Sequence, residues 1–149
     1  MLSLSEFLTA DRIVVLDAPA NREAVIDAAA RLLADAPGSV AAVGESLRQR
    51  ERMGSTAIGH GVAIPHGRSN ALNDTRAAFL RLQTGVDFDA SDGEPVDLVF
   101  AMSVPEHFTQ RHLQLLSELA QRFGDAEFRS ALRRAPDAAR LRDTLLATA

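Results

Sequence analysis

There is no cysteine among the 149 residues of the chain. That removes a disulfide framework, a thiolate nucleophile and any cysteine-ligated metal. No apolar run approaches the ~20 residues that a membrane-spanning helix requires. The amino terminus, Met1-Leu2-Ser3-Leu4-Ser5-Glu6, lacks a basic stretch ahead of an apolar one, so no secretory signal is expected. An excess of one charge is missing too: 16 basic and 20 acidic residues are interspersed and leave a net charge of −4. A nucleic-acid binder would carry a basic patch or stripe instead. No internal repeat, low-complexity tract or linker divides the chain.

Common enzyme signatures are absent as well. Gly54, Gly59, Gly61 and Gly67 do not fit G-x-x-x-x-G-K-[ST], and Gly59-His60-Gly61-Val62-Ala63-Ile64 fails G-x-G-x-x-G at its last position. There is no G-x-S-x-G nucleophile elbow. His60 and His66 stand six apart, without the H-E-x-x-H spacing of zinc helices. No metal, nucleotide or other cofactor is expected. What is present, with 46% hydrophobic content, is enough chain for one domain with a buried core, expected to work in the cytoplasm.

Residues 12–16 are β-branched and short, and Asp17-Ala18-Pro19 stops them, which predicts a strand. Asn21 is a good N-cap for a helix reaching about residue 35, with Val25, Ala28, Ala29, Leu32 and Leu33 on one face. Pro37-Gly38-Ser39 opens a second helix that ends in Arg48-Gln49-Arg50-Glu51-Arg52. Further strands are predicted at 62–64, 76–83, 85–88 and 96–104, the last nearly all apolar and so central. Thr109 can cap a helix bearing Leu113, Leu116, Leu119, Ala120 and Phe123, and two shorter helices start at Asp125 and at Pro136-Asp137. The pattern predicts one α/β layered domain over residues 1–149.

The chemistry concentrates in Gly54-Ser55-Thr56-Ala57-Ile58-Gly59-His60-Gly61-Val62-Ala63-Ile64-Pro65-His66-Gly67-Arg68. His66 follows a short apolar run, and Pro65-His66-Gly67 reads as the turn that ends it. It is either a polar turn residue or a nucleophile held at the rim of a sheet. A neutral imidazole with one free nitrogen can accept a group covalently. A phosphoryl group there brings a charge of about −2, which needs backbone N–H groups, a cation or a helix N-terminus. Gly61 and Gly67 allow close backbone approach, and Arg50, Arg52 and Arg68 are candidate cations. His112, in the first turn of the helix after Thr109, offers a second imidazole. Each also has a plainer reading: a solvated helix end for Arg50 and Arg52, a core-edge histidine for His112, loop residues for His60 and His107.

Arg50-Glu51-Arg52-Met53-Gly54-Ser55-Thr56 and Gly59-His60-Gly61-Val62-Ala63-Ile64-Pro65-His66-Gly67 closely resemble the phosphohistidine signature of bacterial phosphotransferase-system enzyme IIA domains. The resemblance is to the mannitol/fructose type and its nitrogen-regulatory branch. Val96-Asp97-Leu98-Val99-Phe100 and His112-Leu113-Gln114-Leu115-Leu116-Ser117-Glu118-Leu119-Ala120 resemble the family's later blocks, in the same order. It implies a single-domain sandwich, a mixed five-stranded sheet flanked by helices. It implies that His66 takes a phosphoryl group from a phosphohistidine on an HPr-type carrier protein, with Arg50 and His112 lining the site and no metal or nucleotide involved. The chain's shortness, with no IIB or IIC segment, and Gly54-Ser55-Thr56-Ala57-Ile58-Gly59 favour the nitrogen-regulatory branch. In that branch the charge on the acceptor regulates targets such as potassium-transport or sensor-kinase proteins. A sugar-specific IIA that passes phosphate to a IIB domain is the alternative, and a non-catalytic binding module a further one. His60, where the branch often has asparagine, and Arg68, where lysine often follows the glycine, depart from the pattern.

Overall fold

The computed structural model describes residues 4–106 and 110–147. Strand β1 spans Leu8–Leu16, and helices α1, Arg22–Leu33, and α2, Val40–Arg52, follow it. Four strands come next: β2 Ala57–Gly59, β3 Val62–Ala63, β4 His66–Ser69 and β5 Arg76–Val86. The long β6, Val96–Pro105, is succeeded by α3 Gln110–Phe123, α4 Ala126–Arg134 and α5 Ala138–Leu146. The starts of α1, α4 and α5 obey side-chain capping. Asn21 accepts from the Ala24 N–H at 2.9 Å, Asp125 from Glu127 at 2.9 Å, and Asp137 from Arg140 at 2.9 Å. Thr109 and His107 lie outside the described residues.

The sheet runs β1-β5-β6-β3-β2, with β4 also on β6. It is mixed: β1–β5, β3–β6 and β4–β6 are parallel, while β5–β6 and β2–β3 are antiparallel. The expected mixed sheet flanked by helices is present, and it counts six strands, with β3 and β4 two pieces of one interrupted ladder on β6. Val62 faces Leu98 and Ala63 faces Val99; after Pro65 the same offset resumes, His66 facing Met102 and Gly67 facing Ser103. The Met102 N–H donates to the Pro65 carbonyl at 2.9 Å and spans the gap. The expectation that Pro65-His66-Gly67 ends the strand is therefore corrected. Proline withholds an N–H, but its carbonyl still accepts, and β4 goes on at the edge of β6. The separate strand expected at 85–88 is also absent, since β5 continues to Val86 with a register shift and Phe88 turns into the core.

Alternation along β6 builds two cores. Leu98, Phe100 and Met102 pack with Leu115, Leu119 and Phe123 of α3, Leu132 of α4 and Leu141 and Leu145 of α5. Val99 and Ala101 pack with Val25, Ile26, Ala29 and Leu33 of α1 and Val43 and Leu47 of α2. Phe123 joins the first core through rings 6.1 Å from Phe79 and 6.0 Å from Phe100. The sheet thus separates an α1/α2 layer from an α3/α4/α5 layer.

One contact sets how α2 lies on β4. A Cβ at Gly67 would stand 2.7 Å from the carbonyl carbon, carbonyl oxygen and Oγ of Ser46. Backbone meets backbone there, so no rotamer change relieves the clash. Gly67→Ala is expected to lower stability by ~1–3 kcal/mol, the usual range for overpacking. Urea denaturation of the purified variant measures this directly, and an unchanged midpoint would show that α2 does not depend on the close approach.

Candidate functional site

His66 is the first residue of β4, beside Met102. Laterally paired residues of a ladder point to the same face, so the imidazole shares the α3 face with Met102, while Gly67 faces α2. The ring is half-buried, and its Nδ1 lies 2.8 Å from the Ile64 carbonyl oxygen. A carbonyl only accepts, so Nδ1 carries the hydrogen and, in the neutral ring, Nε2 keeps its lone pair. The strand interruption produces this contact, since the carbonyl two residues back is turned toward the side chain.

Burial lowers the His66 pKa most; the Ile64 hydrogen bond raises it, the Arg50 charge lowers it and Glu51 raises it, with a net downward shift. The imidazole is accordingly neutral near pH 7. Arg50, half-buried in the last turn of α2, is near enough to act on that ring, and its Nη1 donates to the Gly54 carbonyl at 2.8 Å. Arg52 pairs instead with Glu45 at 3.3 Å and is exposed, as is Arg68.

Sequence reasoning assigned no role to Glu51, although it stood inside the quoted Arg50–Thr56 block. Its carboxylate is buried, accepts from the Thr56 N–H at 3.3 Å and from the Thr56 hydroxyl, and lies 3.7 Å from Arg22. It ties the end of α2 to the loop that leads to β2. An acid set between two arginines, Arg50 and Arg52, was the signal the sequence offered.

His112 lies in the first turn of α3, and its Nε2 is 2.8 Å from the hydroxyl of Thr75. Thr75 immediately precedes Arg76, which flanks Ser103 on one side as Gly67 does on the other. Arg76 reaches the Leu33 carbonyl on the α1 face at 2.6 Å, so alternation puts Thr75 on the α3 face with His66. Two strand spacings across and two residues along separate their Cα atoms by about 12 Å. A neutral His66 ring on which the Arg50 charge acts thus shares the α3 side of the sheet with Thr75, whose hydroxyl bonds His112 at the first turn of α3.

His60 belongs elsewhere. With φ of 58° at His60 and 79° at Gly61, the pair forms the tight turn between β2 and β3, both central residues left-handed as a type I′ hairpin demands. Its N–H donates to Asp92 at 2.9 Å and its carbonyl accepts from Arg133 at 2.6 Å. Four residues of chain from Val62 to His66 put the turn at the far end of the ladder, about 13 Å beyond. His60 thus stands where asparagine would serve, for backbone reasons.

Residues 6–147 match the model of the EIIA 2 family of the phosphoenolpyruvate-dependent sugar phosphotransferase system. The chain belongs to that family. The nitrogen regulatory protein of Pseudomonas aeruginosa is 41% identical over 140 residues, covering 93% of this chain and 91% of the relative. The solved structure of nitrogen regulatory protein IIA-Ntr from Neisseria meningitidis superposes with a TM-score of 0.87 at 40% identity, over 95% of this chain and 98% of that one. A fructose-specific EIIA component of Haloferax volcanii is 35% identical over 85% of this chain and 84% of its own length. Within the EIIA 2 family, similarity is therefore greater to the nitrogen-regulatory branch. Among the described residues no helix is long and apolar enough to cross a membrane, and no group of acidic and histidine side chains has the makings of a metal site.

Two measurements test the site's electrostatics. NMR titration should place the His66 midpoint below the ordinary histidine value, and Arg50→Gln should move it upward, because Arg50 disfavours the charged ring. With the folded pKa depressed, neutral His66 contributes stability above the unfolded pKa that is lost as pH falls through the folded one. His60→Asn should leave that midpoint in place and hold or raise stability, a displaced midpoint being the result that counts against the remote placement of His60.

Proposed function

We propose that this chain is the nitrogen-regulatory IIA phosphotransferase of its cell, accepting a phosphoryl group on Nε2 of His66 from a phosphohistidine of an HPr-type carrier. The observation that carries the reading is the Nδ1–H bond to the Ile64 carbonyl, which leaves Nε2 as the nucleophilic nitrogen of a neutral ring. In the transfer, the Nε2 lone pair forms a bond to phosphorus as the N–P bond of the carrier breaks, and the carrier nitrogen keeps that pair. His66 retains its Nδ1 proton on Ile64, and the incoming phosphoryl oxygens offset the ring charge. One N–P bond replaces another, so little driving force is needed and catalysis is mainly positioning and charge stabilisation. Arg50 and His112 are the electrostatic supports.

The phosphorylated and free forms differ by about two negative charges at one sheet edge. That difference is the regulatory output, read in the cytoplasm by targets such as potassium-transport or sensor-kinase proteins. Greater identity to nitrogen regulatory proteins than to the fructose-specific component supports this branch over a sugar-uptake role.

The test is incubation with phosphoenolpyruvate, enzyme I and the matching HPr-type carrier, followed by mass spectrometry of the intact protein. One phosphoryl group is expected on the unaltered chain and none on His66→Ala. Arg50→Ala and His112→Ala should each slow uptake roughly ten- to hundredfold, in line with the loss of one preorganised charge-stabilising group. Equal labelling of His66→Ala would remove the reading, and full rates in both other variants would remove the supporting roles.

A further inference from the structure

We infer that Thr75 is a positioning residue of the phosphoryl-transfer site, acting through His112. The inference rests on the function proposed above and adds a residue outside all of the blocks that carry the family resemblance. His112 is the residue that α3 offers to the proposed site, and an imidazole on a helix surface turns about two side-chain torsions until partners hold it. The hydroxyl of Thr75, 2.8 Å from Nε2, is such a hold, and it belongs to the sheet, not to the helix. Arg76 next to it is pinned on the opposite face by its bond to the Leu33 carbonyl and by pairing with Ser103. The side chain of Thr75 is thereby presented from the same rigid sheet that carries His66.

A hydroxyl suits this task because it both donates and accepts. Opposite a neutral ring with a bare Nε2 it donates; opposite a protonated ring it accepts the Nε2 hydrogen. His112 therefore keeps one orientation whether or not it gains a proton when a dianionic group arrives on His66. A carboxylate in this place would favour the protonated ring alone, and an alkyl group would hold neither form. Threonine also restricts its own rotamer through branching at Cβ, so the oxygen stays aimed.

The experiment compares Thr75→Val, which keeps shape and removes the hydroxyl, with Thr75→Ser, which keeps the hydroxyl. Nitrogen-15 NMR of the unphosphorylated protein reads the tautomer and titration of the His112 ring, and carrier-dependent labelling reads transfer. Thr75→Val is expected to shift the His112 ring resonances and slow transfer roughly three- to tenfold, the size of one neutral hydrogen bond. Thr75→Ser should restore both, and in a His112→Ala background Thr75→Val should cost nothing more. Unchanged ring resonances in Thr75→Val overturn the inference, as does an undiminished loss in the His112→Ala background. Should the unaltered protein take up no phosphoryl group, the function falls separately, and the ring resonances alone still decide the assignment of Thr75.

Discussion

The site depends on one continuous pairing, in which residues 62–69 lie along β6 at a single offset although Pro65 interrupts the hydrogen bonds. Side chains alternate between faces with a period of two, so a slip of one residue would send His66 to the α1/α2 side and Gly67 to the α3 side. Both would then fail together. The imidazole would meet the backbone of Ser46, and α2 would lose the only residue small enough to let it settle on β4. The apolar pairs Val62–Leu98 and Ala63–Val99, buried on opposite faces, hold the register against such a slip. Core packing thus fixes the row on which a half-buried polar residue stands.

Electrostatics around His66 serve two stages with the same groups. Before transfer, burial and Arg50 depress the ring's basicity and keep Nε2 unprotonated. In the proposed transfer, the same guanidinium would sit beside the new anion, where it is favourable. A cation that only stabilised the product would leave the nucleophile's protonation to chance; one that also acts on the ring couples the two. Glu51 works in the opposite direction on the ring, but its carboxylate is occupied by Thr56 and lies near Arg22. Its larger effect is mechanical, because it holds the loop that follows Arg50.

Much of this arrangement was legible in the sequence, and the exceptions share a cause. The helices with Asn21, Asp125 and Asp137 at their starts follow from local capping, and β6 from its apolar run. His66, Arg50 and His112 were singled out by the motif and the family resemblance. The run His66-Gly67-Arg68-Ser69 gave no strand signal, being polar and preceded by proline; it pairs because β6 has an open edge beside it. The 85–88 segment failed for the converse reason: Phe88 is buried like a strand residue, but β5 already supplies the pairing there. Nor could local pattern place His60, whose distance from His66 is short in sequence and long in space because the strand between them is extended. Thr75 left no trace at all, since its meaning lies in a bond to a residue far along the chain.

The two helices that end at the site meet it with opposite poles. The C-terminus of α2 carries a partial negative charge that would repel a phosphoryl group, and the N-terminus of α3 a partial positive charge that would attract one. Arg50 resolves the first difficulty. In the last turn of α2 its positive charge is favoured by the helix dipole, and its Nη1 covers the Gly54 carbonyl just beyond the end. In the proposed site the guanidinium would therefore reverse the sign that α2 shows, and what stabilises it in the unphosphorylated protein is the same field it would have to overcome. His112 would need no such reversal, because at the start of α3 the field already has the right sign, and the Thr75 hydroxyl on the sheet bonds its ring. In the proposed function, a cation on the wrong pole and an imidazole on the right one would make up a single anion site, with the helix ends dictating which residue type each can use.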